Sequence, residues 1–244
     1  MFRHLGKART QNHNRRIASL LSFVAGIVNV AGFLSIRRLT TNVTGHFAFL
    51  MEEVLQARWV AAAVFALYLL FFLLGAFVAS LLIESVSRRG EQYVYVVPAS
   101  VEILVLVVTG VGWNWLKDAP DVLACSLLFA MGLQNAMVTS ISQARVRTTH
   151  LTGLFTDLGI ELSQLFFYKS PEQKAKLRSS IGLRLTIIGF FFAGGIAGGL
   201  AYTSIGTHVL VAAAALLLAG LVYDQVKVRV RLLTRRLKTS NFKR

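Results

Sequence analysis

The chain has 244 residues, 55% of them hydrophobic and 15% charged, with a formal net charge of +15 and a mean hydropathy of +0.61. A soluble globular domain runs at roughly half apolar and a quarter charged; here the apolar residues come in runs near the roughly 20 that a bilayer-crossing helix needs, which excludes an ordinary soluble fold. The single cysteine, Cys125, excludes an internal disulfide and a cysteine-based metal site, and reads as a small buried apolar residue.

In chain order, a basic segment (residues 1–16) precedes six apolar runs that predict spanning helices: Ile17 to Ile36, Trp59 to Ile83, Tyr93 to Val111, Val122 to Ile141, Ile181 to Tyr202 and His208 to Tyr223. The first run contains Asn29 and lacks a small-residue cleavage pattern, so it is expected to be a retained span rather than a signal peptide. Gly75 and Ala79 in the second run, and Gly194 to Gly199 in the fifth, suit close helix packing. A phosphate-loop reading of those glycines lacks the preceding strand it would need.

With both termini in the cytoplasm, the inside segments hold twenty-one Lys and Arg residues and the outside connections four. That asymmetry is what positive-inside topology produces. It also argues against nucleic acid as a partner, because the basic residues sit where membrane topology places them. The lipid bilayer is the expected partner. The basic tail, with Arg229, Arg231, Arg235 and Arg236, has a second reading as a holder of anionic lipid or of a partner. Oligomeric state is not legible.

The chain matches itself at an offset of 108 residues. From Thr41 to Gln56 against Thr149 to Gln164, seven of sixteen positions are identical: the paired threonines Thr41/Thr149 and Thr44/Thr152, Gly45/Gly153, Phe47/Phe155, Leu50/Leu158, Glu53/Glu161 and Gln56/Gln164. Upstream, with a two-residue gap, Gly26 and Asn29 correspond to Gly132 and Asn135. Duplication explains this better than composition does. Each half reads as span, motif, short helix, span, span, and an odd number of crossings inverts the second half. The expected fold is therefore an all-α polytopic bundle of about six transmembrane helices in a 3+3 inverted repeat. Residues 1–112 form the first repeat, 113–224 the second, and 225–244 a basic cytoplasmic tail. Thr44 and Thr152 are expected as N-caps of short interfacial or re-entrant helices over Gly45 to Ala57 and Gly153 to Tyr168.

At these motifs the chain resembles the YoaK-like family of bacterial membrane proteins, a domain of unknown function. The resemblance covers nearly the whole chain and rests on Gly26-Ile27-Val28-Asn29, Val43-Thr44-Gly45, Gly132-Leu133-Gln134-Asn135-Ala136 and Thr148-Thr149-His150-Leu151-Thr152-Gly153. The family's first motif usually reads Thr-Gly-Asn, where this chain has His46 after Gly45. The resemblance implies a bacterial inner membrane and a transport-type function, with no substrate attached.

Thr41, Thr44, Gly45, Thr149, Thr152 and Gly153 are the leading candidates for substrate or ion contact, because unwound backbone and hydroxyls inside a membrane protein are tolerated only where they are buried or line a cavity. The competing reading is a pair of helix caps. Asn29 and Asn135 serve either to line a route or to hydrogen-bond between helices. Glu102, among Val101, Ile103, Leu104 and Val105, is either a proton-coupling carboxylate or a structural partner of Arg184. The secondary candidates are His46 and His150, with Glu53 and Glu161, the last two balanced against a solvated helix face. No metal site and no cofactor are expected. The leading function is a small secondary transporter or permease that uses no nucleotide. A membrane-embedded enzyme, with His150 beside Asp157 or Glu161, and a non-catalytic structural or partner-binding membrane protein are the alternatives.

Overall fold

A computed structural model of the protein describes residues 11–88, 94–116, 118–144 and 146–241. His4, Arg89, Lys117, Arg145 and the other basic residues of segments 1–10 and 242–244 lie outside the described residues, as do the tail side chains from Lys227 on, so the anionic-lipid reading falls outside them.

Every regular element among the described residues is helical. In order they are α1 (Gln11–Ile36), α2 (Val43–Leu55), α3 (Trp59–Ser87), α4 (Val96–Val111), the single turn α5 (Trp113–Leu116), α6 (Pro120–Ser142), α7 (Leu151–Phe167), α8 (Pro171–Ile205) and α9 (Val209–Asn241). The helices α1, α3 and α6 and the stretch Pro171–Asp224 are long and apolar enough to cross a membrane. That last stretch holds two of the predicted runs: Gly206, at φ 57°, ends α8, and a 3-10 turn over Gly206–His208 leads into α9. A side chain there would be strained, since this left-handed conformation favours glycine. Among the described residues of the third predicted run, the helix covers Val96–Val111, 16 residues, which at 1.5 Å per residue is about 24 Å, less than the roughly 30 Å of bilayer hydrocarbon. The protein is a helical membrane bundle.

Four Phe-x-x-Gly segments decide how the helices pack. A Cβ at Gly26 of α1 would collide with the Phe191 carbonyl oxygen of α8, and one at Gly194 of α8 would collide with the Phe23 carbonyl oxygen of α1. The same crossed contact joins α3 to α6, where Gly75 meets the Phe129 carbonyl and Gly132 meets the Phe72 carbonyl. Backbone meets backbone at all four points. Lipid tails are as apolar as leucine, so close van der Waals contact between small residues, rather than hydrophobic burial, holds such helices together. The outer face of α3 presents Leu70, Leu73, Phe77 and Leu81, all exposed, as a lipid-facing surface would. The core between the helices includes Leu21, Leu106, Leu127, Met131 and Ile187, each wholly buried.

Candidate functional site

Two loops carry the Thr-Gly motifs, and both fold back onto the helix they leave. After α1 the chain passes through Arg37 at φ 55°, and after α6 through Gln143 and Ala144 at φ 53° and 60°. Thr41 Oγ1 then donates to Asn29 Oδ1 at 2.7 Å, and Thr149 Oγ1 donates to Asn135 Oδ1 at 2.9 Å. One position earlier the halves differ. Thr40 donates to the Val28 carbonyl at 3.3 Å, whereas Thr148 accepts from Gln134 Nε2 at 3.2 Å, and that same nitrogen donates to the Leu21 carbonyl at 3.0 Å. The two asparagines thus anchor the loops.

The capping expectation is corrected at this point. The N-caps of α2 and α7 are Asn42 and His150, so Thr44 and Thr152 are the second residues of their helices rather than caps. Asn42 wins because its Oδ1 reaches the Gly45 amide at 3.0 Å, the three-residue reach of a capping side chain. His150 makes no side-chain cap, which leaves the first amides of α7 without a capping acceptor.

The first turns of α2 and α7 open on one central cavity of about 440 Å³. Its polar lining is Asn29, Thr41, Asn42, Thr44, Thr149, His150 and Thr152, with Gly153 beside them; Phe72 and Phe191, the aromatic members of two of the packing segments, belong to its wall. Gly45 and Asn135 do not reach it. Gly45 instead leaves room for the Leu39 and Asn42 side chains, and Asn135 acts through Thr149. A second cavity of about 510 Å³ shares His150 and Gly153 with the first and is lined further by Asn14, Arg147, Asp157, Lys176, Ser180 and Arg184, among others. Partial burial and the neighbouring Arg147 charge both hold the His150 pKa below the usual histidine value, which favours a neutral ring between the two cavities.

The family model described as "Protein of unknown function (DUF1275)" matches residues 17–223, which takes in the whole lining of the central cavity. The chain belongs to this family. It is also 25% identical over 178 residues, 72% of this chain and 79% of the relative, to the UPF0700 transmembrane protein YoaK of Bacillus subtilis (strain 168). No solved structure matches it.

The remaining candidates of this DUF1275 chain fall away from the central cavity. Glu161 accepts from Arg184 through two hydrogen bonds of 2.9 Å and from Ser180 at 2.6 Å, and Asp157 lies 3.1 Å from the same guanidinium. Partial burial pushes the Glu161 carboxyl up, but the hydrogen bonds from Arg184 and Ser180 outweigh it and hold the pKa below the ordinary carboxylate value. Arg184 is therefore committed to α7, which corrects the alternative that made it the structural partner of Glu102. Glu53 holds Arg58 at 2.5 and 2.8 Å near the end of α2. His46 is buried, with Nε2 2.5 Å from the Leu39 carbonyl and its ring 5.1 Å from that of Tyr68, which in turn donates to Asp121. Glu102 is wholly buried in α4, and neither carboxylate oxygen has a hydrogen-bond partner among the described residues.

Sequence reasoning passed over Phe72, Phe191, Arg147 and Lys176. The first two carried a readable signal, the Phe-x-x-Gly pattern that recurs in α1, α3, α6 and α8. The two basic residues were read only as topology determinants.

Proposed function

We propose that the protein is a secondary transporter or permease for a small molecule or ion, built from two inverted three-helix repeats with the substrate site where their Thr-Gly motifs meet. The carrying observation is the central cavity, lined from both motifs by Thr41, Thr44, Thr149 and Thr152. The duplicated Thr-to-Asn bonds and the crossed Phe-x-x-Gly contacts support the repeat, for which six crossings place both termini on the cytoplasmic side of a bacterial inner membrane. Asn29 lines the route and Asn135 holds Thr149 in it. Rocking of one repeat against the other exposes the site alternately, and His150 and Gly153 sit where the second cavity meets the first.

Glu102 is the proposed proton-coupling group. An ionised carboxylate without a partner at that depth is costly, so gain and loss of a proton there is coupled to conformation. The test is uptake by purified protein in liposomes from a panel of anions, amines and sugars, with and without a pH gradient. Flux that falls in both Thr44→Val and Thr152→Val supports the reading; flux indifferent to both sinks it.

A further inference from the structure

We infer that the central site takes a small anion, which reaches it through the second cavity past Arg147 and Lys176. This rests on the transport reading of the same cavity and adds the class of substrate. Charge supplies the first argument. The central cavity has no Asp or Glu in its lining, although a site for a cation would be expected to offer at least one carboxylate or a cage of carbonyl oxygens. The second cavity has three cations in its wall, Arg147, Lys176 and Arg184, against one carboxylate, Asp157. Arg184 is already neutralised by Asp157 and Glu161, whereas Arg147 and Lys176 form no ion pair among the described residues. Their charge is free to attract a ligand, and a cleft lined by one sign of charge raises the local concentration of the opposite sign.

Hydrogen bonding supplies the second argument. The Thr41 hydroxyl donates to Asn29 Oδ1, so that acceptor of the lining is engaged by the protein itself. Asn42 Oδ1, another acceptor in the lining, is occupied by the Gly45 amide. At the start of α7 the His150 side chain makes no capping bond, and Leu151, Thr152 and Gly153 belong to the cavity lining. The Thr41 and Thr149 hydroxyls have spent their donors, so the donors on offer to a ligand include the uncapped start of α7 and the His150 ring. An oxyanion fits those donors together with the Arg147 and Lys176 charges beside them. His150, kept neutral, stands at the junction of the two cavities and offers a ring nitrogen to a passing anion without binding it as a full charge would.

The experiment uses the full chain purified in detergent and titrated at constant ionic strength with sodium formate, acetate, sulfate and phosphate. Methylammonium chloride and glycerol serve as the cationic and neutral probes. At least one anion is expected to bind, and Arg147→Gln and Lys176→Gln are each expected to weaken it about tenfold, by removing positive potential that concentrates the anion at the site. The second variant stands in if the first fails to fold. Arg178→Gln, exposed on α8 and outside both cavities, removes the same charge and is expected to leave binding unchanged. Binding of methylammonium or glycerol alone, binding of no anion, or an equal loss in all three variants overturns the inference. Anion binding without flux in liposomes keeps the anion assignment and removes transport; flux of glycerol or methylammonium without anion binding does the reverse.

Discussion

Thr149 Oγ1 donates to Asn135 Oδ1 across 2.9 Å, and the equivalent bond from Thr41 to Asn29 measures 2.7 Å. Each bond ties an unwound loop to the helix that precedes it, so the position of the central cavity depends on both. Asn135 is buried, and its Nδ2 is already engaged by the Met131 carbonyl. Thr149→Val is expected to cost about 1 kcal/mol, above the roughly 0.6 kcal/mol average for membrane hydrogen bonds because it strands a buried carbonyl oxygen. A double-mutant cycle of Thr149→Val with Asn135→Leu, read by thermal unfolding in detergent, checks this. Additive losses would show that the bond contributes nothing.

Gly132 and Gly189 lie in comparable apolar helices and predict opposite outcomes. A Cβ at Gly132 collides with the Phe72 carbonyl, a rigid backbone atom, whereas one at Gly189 meets nothing within 4 Å. Gly132→Ala is expected to destabilise by about 1 to 3 kcal/mol through overpacking. Gly189→Ala should be neutral or stabilising by up to about 1 kcal/mol through helix propensity. Thermal midpoints of the two variants give the comparison, and equal midpoints would remove close glycine packing as the source of α3–α6 cohesion.

Hydropathy made the apolar helices legible because lipid forces long uninterrupted runs, and the 108-residue offset made the two motifs legible because their loops make the same bonds. Local capping was not legible. Asn42 and Thr44 both suit an N-cap, and the choice between them depends on which side chain reaches the Gly45 amide in three dimensions. The partner of Arg184 was missed for a similar reason. The hydropathy boundary placed the start of the fifth run at Ile181, whereas α8 begins at Pro171 and carries Ser180 and Arg184 alongside α7. Charged residues shorten an apolar run on paper without shortening the helix.

Glu161 predicts a pH dependence for the docking of α7 on α8. Its pKa in the folded chain lies below the ordinary 4.5. A depressed carboxylate pKa contributes stability that is fully present above the unfolded value and lost as pH falls through the folded one. The α7–α8 contact is therefore expected to hold at pH 7 and to loosen below about pH 4.5. Glu161→Gln should lack that acid-dependent component and be less stable at pH 7. Hydrogen exchange of the α7 amides between pH 7 and pH 3, compared after correction for intrinsic rates, measures it; identical profiles for wild type and variant would contradict the assignment.

Glu102 separates stability from function most sharply. Both of its carboxylate oxygens are buried without a hydrogen-bond partner among the described residues, in a helix whose other buried residues include Ala99, Leu106 and Thr109. An unsatisfied buried polar group costs about 1 to 3 kcal/mol, so Glu102→Leu is expected to raise the thermal midpoint. A group kept at that expense without a structural return is a candidate for a functional one. In liposomes, Glu102→Gln should preserve substrate binding and downhill exchange, which the proposed function assigns to the Thr-Gly cavity, and abolish the component of uptake driven by a pH gradient. The shape of the side chain is nearly unchanged by this substitution, so only the titrating proton is removed. If gradient-driven uptake persists in the glutamine variant, proton coupling has to be moved to His150, the titratable group that lines the central cavity.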